Sequence, residues 1–444
     1  MIIQFKDRKK ELGEIREFLD SDSQSRLLII YGRRRVGKTE LALKAVEGRK
    51  ALYYLATEEN NLKRFYTECI KYDADASKLK MDWEILFGFL KDRADAVIID
   101  EFQNMISEDK SIISMFQLIV DVVLRGSKLK IIILGSSVSV ITSKVLAYKS
   151  PLYGRRAGSI KLKPVQFFSM NEFFPNASIE QLAEIFGFGD GIPFYLVKIE
   201  KKFWQWLKKE VDQEKSFLRD EIDFLLMYEF TNVSTYKMVL EAIANGKTEL
   251  NEIKNFIGLQ RTDITPYIRN MIEVGFIQRK VPITENLRSR HGRYFILDNF
   301  IKFWFRYIYP ALSSIEAGIF DVETIKSDYN SYLGFVFEDI CRQFIIKTMP
   351  FSFTKIGPWW HGSNEIDIVA LNEKTGDAFF IECKWKNNVD AEGVLDGLKR
   401  KASCVYWNKK MKEHYCIMAK SFSGSRPDDC MLFDIKDIEK AFHA

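Results

Sequence analysis

The segment Gly32-Arg33-Arg34-Arg35-Val36-Gly37-Lys38-Thr39 matches the pattern G-x-x-x-x-G-K-[ST] and stands between two stretches of opposite character. Ahead of it, Arg26-Leu27-Leu28-Ile29-Ile30-Tyr31 is a short apolar run of the kind that forms a buried parallel strand. Behind it, Glu40-Leu41-Ala42-Leu43-Lys44-Ala45 consists of strong helix formers. A loop that joins such a strand to a helix N-terminus presents unsatisfied backbone N–H groups and the positive end of the helix dipole to an anion. The pattern therefore predicts that Gly32 to Thr39 cradles a triphosphate, with Lys38 reaching the β and γ phosphates and the Thr39 hydroxyl ligating Mg2+.

Two further apolar strands end in groups that suit the same chemistry. Asp95-Ala96-Val97-Ile98-Ile99-Asp100-Glu101-Phe102 finishes in adjacent carboxylates. Asp100 is expected to hold Mg2+ through water and Glu101 to polarise the attacking water. Lys130-Ile131-Ile132-Ile133-Leu134 runs into Gly135-Ser136-Ser137, where Ser136 is the candidate sensor of the γ-phosphate. Ala51 to Ala56 and Ser159 to Leu162 supply two more strands, with helices between. Strands alternating with helices predict a parallel α/β sheet that binds its ligand at the strands' carboxyl ends, over residues 1–165.

At 444 residues the chain is long enough for two to four domains. Its net charge of +5 does not by itself point to nucleic acid. The scattered cysteines contain no C-x-x-C pair, so reduced and mostly buried thiols are expected. No apolar signal core opens the chain and no uncharged run approaches the roughly 20 residues that span a bilayer. A cytoplasmic protein without a membrane partner is the expectation.

Beyond Pro164 helical patterns replace strands. Ser178 heads an amphipathic helix, and Gly191-Ile192-Pro193-Phe194-Tyr195-Leu196 opens another, in a helical lid expected over 166–225. Between Tyr236 and Leu297 the pattern is three short helices, the second starting at Thr248 and the third running from Gln260 to Val274, then a hairpin. This predicts a winged helix-turn-helix over 226–310. The hairpin carries Arg279, Lys280, Arg288, Arg290 and Arg293 against Glu285, five minus one, a local charge of +4. Gln260, Arg261, Thr262, Tyr267 and Arg269 on the third helix suit phosphates or base edges, although Asp263 and Glu273 dilute that face. DNA is the expected partner; a protein-protein role for the module is the alternative.

The last stretch, 311–444, carries a second constellation. Glu338 lies on an amphipathic helix, Asp367 on the strand Asn364 to Leu371, and Glu382 and Lys384 on one face of the strand Ala378 to Trp385. Asp367 and Glu382 would share a second Mg2+ or Mn2+, with Glu338 joining from the helix and Lys384 positioning water. An ion pair on an open sheet face is the plainer reading. Trp359 and Trp360 offer stacking faces to a base, or packing.

Together, Phe5-x-x-Arg8-x-x-Glu11-Leu12, Asp100-Glu101-Phe102-Gln103, Leu134-Gly135-Ser136-Ser137 and Leu152-Tyr153-Gly154-Arg155-Arg156 resemble the archaeal-type P-loop ATPases, which are AAA+-related and close to the STAND NTPases. The resemblance implies that the Asp100 strand lies next to the phosphate-loop strand, that Glu101 is catalytic, and that Arg155 or Arg156 acts on the γ-phosphate or in coupling, in cis or in trans. It also implies that Pro193 approaches the adenine. The order helix-Glu, strand-Asp, Glu-x-Lys resembles the PD-(D/E)XK nuclease fold, with Ile366 in place of the usual proline. Archaeal-type ATPases often carry, after a winged helix, a C-terminal domain of unknown function in which Asp-x-x-x-Ala and Glu-x-Lys recur, and the nuclease activity is implied by the fold resemblance. The implied protein is an ATP- and Mg2+-dependent ATPase whose nucleotide state controls a DNA-associated winged helix and a metal-dependent nuclease domain, with a second copy or another protein as partner. The alternatives are a STAND-like signalling switch and a transcription-associated DNA-binding protein that does not cut.

Overall fold

The computed structural model describes residues 5–22, 26–200, 202–259, 263–407 and 411–442. It divides into two compact units, the first made of 1–165 with 192–194 and 273–275, the second of the remainder.

The first unit is built on a five-stranded sheet of β1 (Leu27–Tyr31), β2 (Ala51–Leu55), β3 (Ala96–Asp100), β4 (Lys130–Gly135) and β5 (Arg156–Lys161), ordered β2-β3-β4-β1-β5. Every pairing is parallel. The strand carrying Asp100 therefore does not neighbour the phosphate-loop strand, as the resemblance implied; β4 lies between them. Burial accounts for the order. β3 and β4 are apolar on both faces and buried throughout, so they take interior places, and β1 is buried over four of its five residues. β2 alternates buried with open positions, β5 alternates half-buried with exposed ones, and both take the edges. On one face Leu28, Ile30, Ile98, Ile132 and Leu134 pack against Ile15 and Phe18 of helix Lys9–Asp20 and Leu41 and Ala42 of helix Lys38–Ala45. On the other, Leu27, Ile29, Val97, Ile99, Ile131 and Ile133 meet Phe65, Phe87 and Phe116. Each such side chain contributes about 1.5–3 kcal/mol by leaving water. β5 begins at Arg156, earlier than the expected Ser159, and pairs Arg156 with Leu27 through a register shift.

In the second unit a short helix, Met170–Phe173, precedes helix Ile179–Gly189, which is headed by a reciprocal cap between Ser178 and Gln181. Helices Val233–Ala244, Leu250–Phe256 and Thr265–Val274 precede an antiparallel hairpin of β6 (Ile277–Lys280) and β7 (Arg293–Ile296). The second of these helices is capped by Glu249 with Glu252, not by Thr248. The third starts at Thr265, later than expected, because Pro266 suits a first turn and the Asp263 carboxylate accepts from the Thr265 N–H at 3.0 Å. Gln260, Arg261 and Thr262 lie outside the described residues.

Helix Glu323–Thr348 then leads into a mixed sheet ordered β14-β12-β10-β9-β8. Its members are β8 (Lys355–His361), β9 (Asn364–Asn372), β10 (Asp377–Lys384), β12 (Lys412–Ala419) and β14 (Cys430–Phe433); the short β11 (Val389–Asp390) and β13 (Phe422–Ser423) pair separately. β8, β9 and β10 form an antiparallel meander, after which helix Ala391–Ala402 carries the chain to β12, parallel to β10. All cysteines are free thiols, four of them buried. Among the described residues no helix is long and apolar enough to cross a membrane.

Gly32 is a position at which the first unit tolerates little change. Its φ is 154°, and a Cβ there would run into the backbone carbonyl of Leu162, which cannot withdraw because the Leu162 N–H is bound to Tyr31 O at 2.7 Å. Gly32→Ala is expected to cost about 2–4 kcal/mol, read as a lowered midpoint in urea unfolding; an unchanged midpoint would show that the loop relaxes freely.

Candidate nucleotide site and a C-terminal acid and lysine cluster

The phosphate loop is shaped by left-handed residues, with φ of 72° at Arg35 and 90° at Gly37. It is clamped from the N-terminal side by Arg8, whose guanidinium donates to Val36 O at 3.3 Å, to Lys163 O at 2.5 Å and to Glu11 at 3.2 Å. Lys38 is buried, and its ammonium donates to the Gly32 and Arg33 carbonyls at 2.8 and 2.9 Å. The Thr39 hydroxyl donates to Asp100 Oδ2 at 2.5 Å. Tyr53 OH donates to the same oxygen at 3.0 Å, and the Glu101 N–H to Asp100 Oδ1 at 2.8 Å. Burial and the charge of Asp100 push the Tyr53 phenol up, which keeps it a donor. A hydroxyl and a carboxylate this close supply the hard oxygen donors that Mg2+ takes, and the pair fits that ion.

Glu101 takes the left-handed conformation, φ 53°, at a cost of about 1 kcal/mol for an L-residue, immediately before helix Phe102–Glu108. The turn directs its carboxylate at Gln103 Nε2 and Ser136 Oγ, both of which donate to Oε2, and Gln103 also reaches Ser136 at 3.2 Å. Arg34 and Glu101 line an open cavity of about 650 Å³ together with Arg64 and Asn104. Pro193 Cγ lies 3.9 Å from the point where a Gly37 Cβ would stand, and Arg35 covers the Phe194 ring at 4.0 Å. Arg33 runs beside Gly275. Arg155 is bound to Asp121 at 2.6 Å and to Pro151 O at 2.7 Å, while Arg156 lies over Tyr153 at 5.1 Å. Neither arginine has a described contact with residues 32–39. Sequence reasoning missed Tyr53 and the role of Gln103. Gln103 sits inside the Asp100 to Gln103 motif, whereas Tyr53 carries no signal beyond a polar tip on an edge strand.

In the C-terminal sheet, Glu382 is buried and its Oε1 accepts from Lys384 Nζ at 2.7 Å. A second ammonium, Lys401 on helix Ala391–Ala402, donates to Oε1 at 2.9 Å and to Oε2 at 3.0 Å. Asp367 accepts from the Cys383 N–H at 2.7 Å. Burial, then the charge of Glu382, raises Asp367 to about 6; burial, then Asp367 and Glu365, raises Glu338 to about 8. The three expected carboxylates thus feel one another, yet they do not form the shared metal site that was expected. Among the described residues no three or more His, Cys, Asp or Glu side chains are gathered so as to hold a metal. The donor types suit a hard cation, but both Glu382 oxygens are already bound to ammonium groups.

Three of the hairpin cations are also committed. Arg279 donates to Leu287 O at 2.9 Å and to Ser289 O, Lys280 lies over Phe295 at 5.0 Å, and Arg293 reaches Glu365 at 3.4 Å and covers Trp360 at 4.9 Å. Trp360 Nε1 donates to His291 O at 3.0 Å, and Ile283 N to Pro358 O at 3.0 Å, so the hairpin packs against β8. Trp359 and Trp360 are packing residues, each 4% exposed, with no face left for a base.

The state of Glu338 has a measurable consequence. Because burial raises its folded pKa from the ordinary 4.5 to about 8, the folded chain holds a proton that the unfolded chain has released, and stability falls as pH rises through that window. Glu338→Gln is expected to remove that slope, gaining about 1–3 kcal/mol over the parent at pH 8.5 relative to pH 5 in urea unfolding; parallel profiles would mean that Glu338 ionises normally.

A family described as "ATPase domain predominantly from Archaea" matches residues 5–199, and one described as "Archaea bacterial proteins of unknown function" matches residues 304–394. Uncharacterized protein MJECL04 of Methanocaldococcus jannaschii is 50% identical over 440 residues, covering 98% of this chain and 99% of the relative. Uncharacterized ATP-binding protein MJ0423 of the same organism is 46% identical over 52 residues, 11% of this chain and 81% of the relative. The solved Walker-type ATPase PABY2304 of Pyrococcus abyssi has a TM-score of 0.53 at 22% identity, covering 68% of this chain and 96% of that one, a likeness of fold. With half of its residues shared over nearly the full length of both proteins, the chain belongs to the family of MJECL04 and carries the archaeal-type ATPase domain.

Proposed function

We propose that the protein is a cytoplasmic ATPase that binds ATP with Mg2+ at Gly32 to Thr39, hydrolyses it, and uses its nucleotide state to control a DNA-associated winged helix at 226–310 and a nuclease-like domain at 311–444, with a helical lid at 166–225. The observation that carries the ATPase reading is the hydrogen bond between Thr39 and Asp100, which joins the phosphate loop to the acidic strand end. Thr39 and Asp100 would hold Mg2+, which neutralises phosphate charge when bound. Lys38 would exchange the Gly32 and Arg33 carbonyls for β and γ oxygens, a substitution that leaves its buried ammonium compensated. Glu101 would take the proton of the attacking water at Oε2 and Ser136 would turn its hydroxyl to the γ-phosphate. Pro193, beside Gly37, suits the adenine side. Arg155 or Arg156 would first have to leave Asp121 or Tyr153.

One observation favours the switch over the motor. Glu101 Oε2 already accepts from Gln103 and Ser136, so a water approaching that oxygen competes with both donors and proton transfer to it is slowed. Slow hydrolysis with long-lived nucleotide states is the expected behaviour. For the C-terminal domain, support for the nuclease reading comes from the element order helix, three antiparallel strands, helix, parallel strand, with Asp367, Glu382 and Lys384 at one end of β9 and β10. As folded, these residues do not fit a metal ion, and no cleavage step is assigned to them.

Glu101→Gln is expected to bind ATP within about twofold of the parent and to hydrolyse it at least about 100-fold more slowly, while Lys38→Ala loses ATP binding. Normal turnover in Glu101→Gln would remove Glu101 as the base. Cutting of DNA in Mn2+ that disappears in Asp367→Ala is the expected result for the nuclease reading. Cutting that survives the substitution, or no cutting with any DNA form, would sink it.

A further inference from the structure

The disagreement between the C-terminal carboxylates and a metal ion has a specific physical origin in Lys401, and this inference rests on the nuclease reading above. Glu382 is the buried member of the cluster, its side chain 8% exposed, while Lys384 and Lys401 are 34% and 31% exposed. One negative charge therefore has two ammonium partners. Lys401 is the one that spans both oxygens, at 2.9 and 3.0 Å, the bidentate place in which a divalent cation would sit.

We propose that Lys401 is a latch that competes with a divalent cation for Glu382 and must turn out to solvent before the C-terminal site can load. The two lysines differ in what they hold. Lys384, two residues from Glu382 on the same face of β10, holds one oxygen. Lys401, in the last turn of its helix and 31% exposed, holds both, and its four-carbon stem lets the head turn toward water. Departure of Lys401 leaves Glu382 still paired with Lys384, so no carboxylate is stranded in the interior. A partly exposed pair of this kind is weak enough for a cation to displace and strong enough to lower its apparent affinity by about a decade.

The test is a Mn2+ titration followed by electron paramagnetic resonance on the full chain without nucleotide, in an Asp100→Asn background that removes the other acidic metal position. Lys401→Gln is expected to bind Mn2+ about tenfold more tightly than this parent, and Lys401→Arg, which keeps the cation, within about twofold of it. Lys399→Gln removes the same charge from the same helix but frees only Asp429, its partner at 2.5 Å, and should match the parent. Adding Glu382→Gln to Lys401→Gln should abolish the gain. Equal binding by the parent and Lys401→Gln, or an equal gain in Lys399→Gln, overturns the latch while leaving a metal site in place. No Mn2+ bound by any variant, with melting curves showing folded protein, overturns the latch and the metal-dependent reading together.

Discussion

Asp100 sets the terms for the first unit. Its carboxylate is 3% exposed at the end of a strand buried on both faces, a position that costs several kcal/mol unless the charge is hydrogen-bonded. The compensation comes from separate elements: Thr39 from the helix after the phosphate loop, Tyr53 from edge strand β2, and the backbone of Glu101. With β4 inserted between β1 and β3, the helix Lys38–Ala45 has to carry Thr39 across an intervening strand to reach it. Loop, edge strand and acidic strand end therefore close on one atom pair. Arg8 and the tight approach of Gly32 to Leu162 fix the loop from the opposite side.

The same economy governs the other two acids, with different consequences. Glu101 accepts from neutral donors, Gln103 and Ser136, each an ordinary hydrogen bond. Glu382 is held by ammonium groups, and its release requires a cation to take their place. A carboxylate restrained by neutral donors is suited to timing. A carboxylate restrained by lysines is suited to gating by charge.

Local features were legible in the sequence to the extent that they were local. The apolar runs, the loop and the Ser178 cap each follow from a few neighbouring residues, and they form where those residues predict. The strand order is not local. It is visible only as a difference between the uninterrupted Ile131-Ile132-Ile133-Leu134 and the alternating burial of Ala51 to Leu55, and the family likeness pointed the other way. Tyr53 and Lys401 carry no motif. Lys401 follows Lys399 and Arg400, and only the fold separates it, on Glu382, from Lys399 on Asp429 and the exposed Arg400.

The hairpin shows why counting charges overstates a nucleic-acid surface. The sum of +4 treats every cation as available. In the folded chain Arg279 braces its own loop, Lys280 lies on Phe295, and Arg293 bridges to Glu365 and Trp360, which leaves Arg288 and Arg290 as the exposed cations of the set. Each phosphate contact adds about 0.9 to the salt slope of binding to duplex DNA. A hairpin offering two such contacts supplies little affinity on its own, so DNA engagement through this module has to draw on the third helix or on surfaces elsewhere in the chain. The hairpin's stronger commitment is to β8, and its cations act first as struts for the C-terminal sheet.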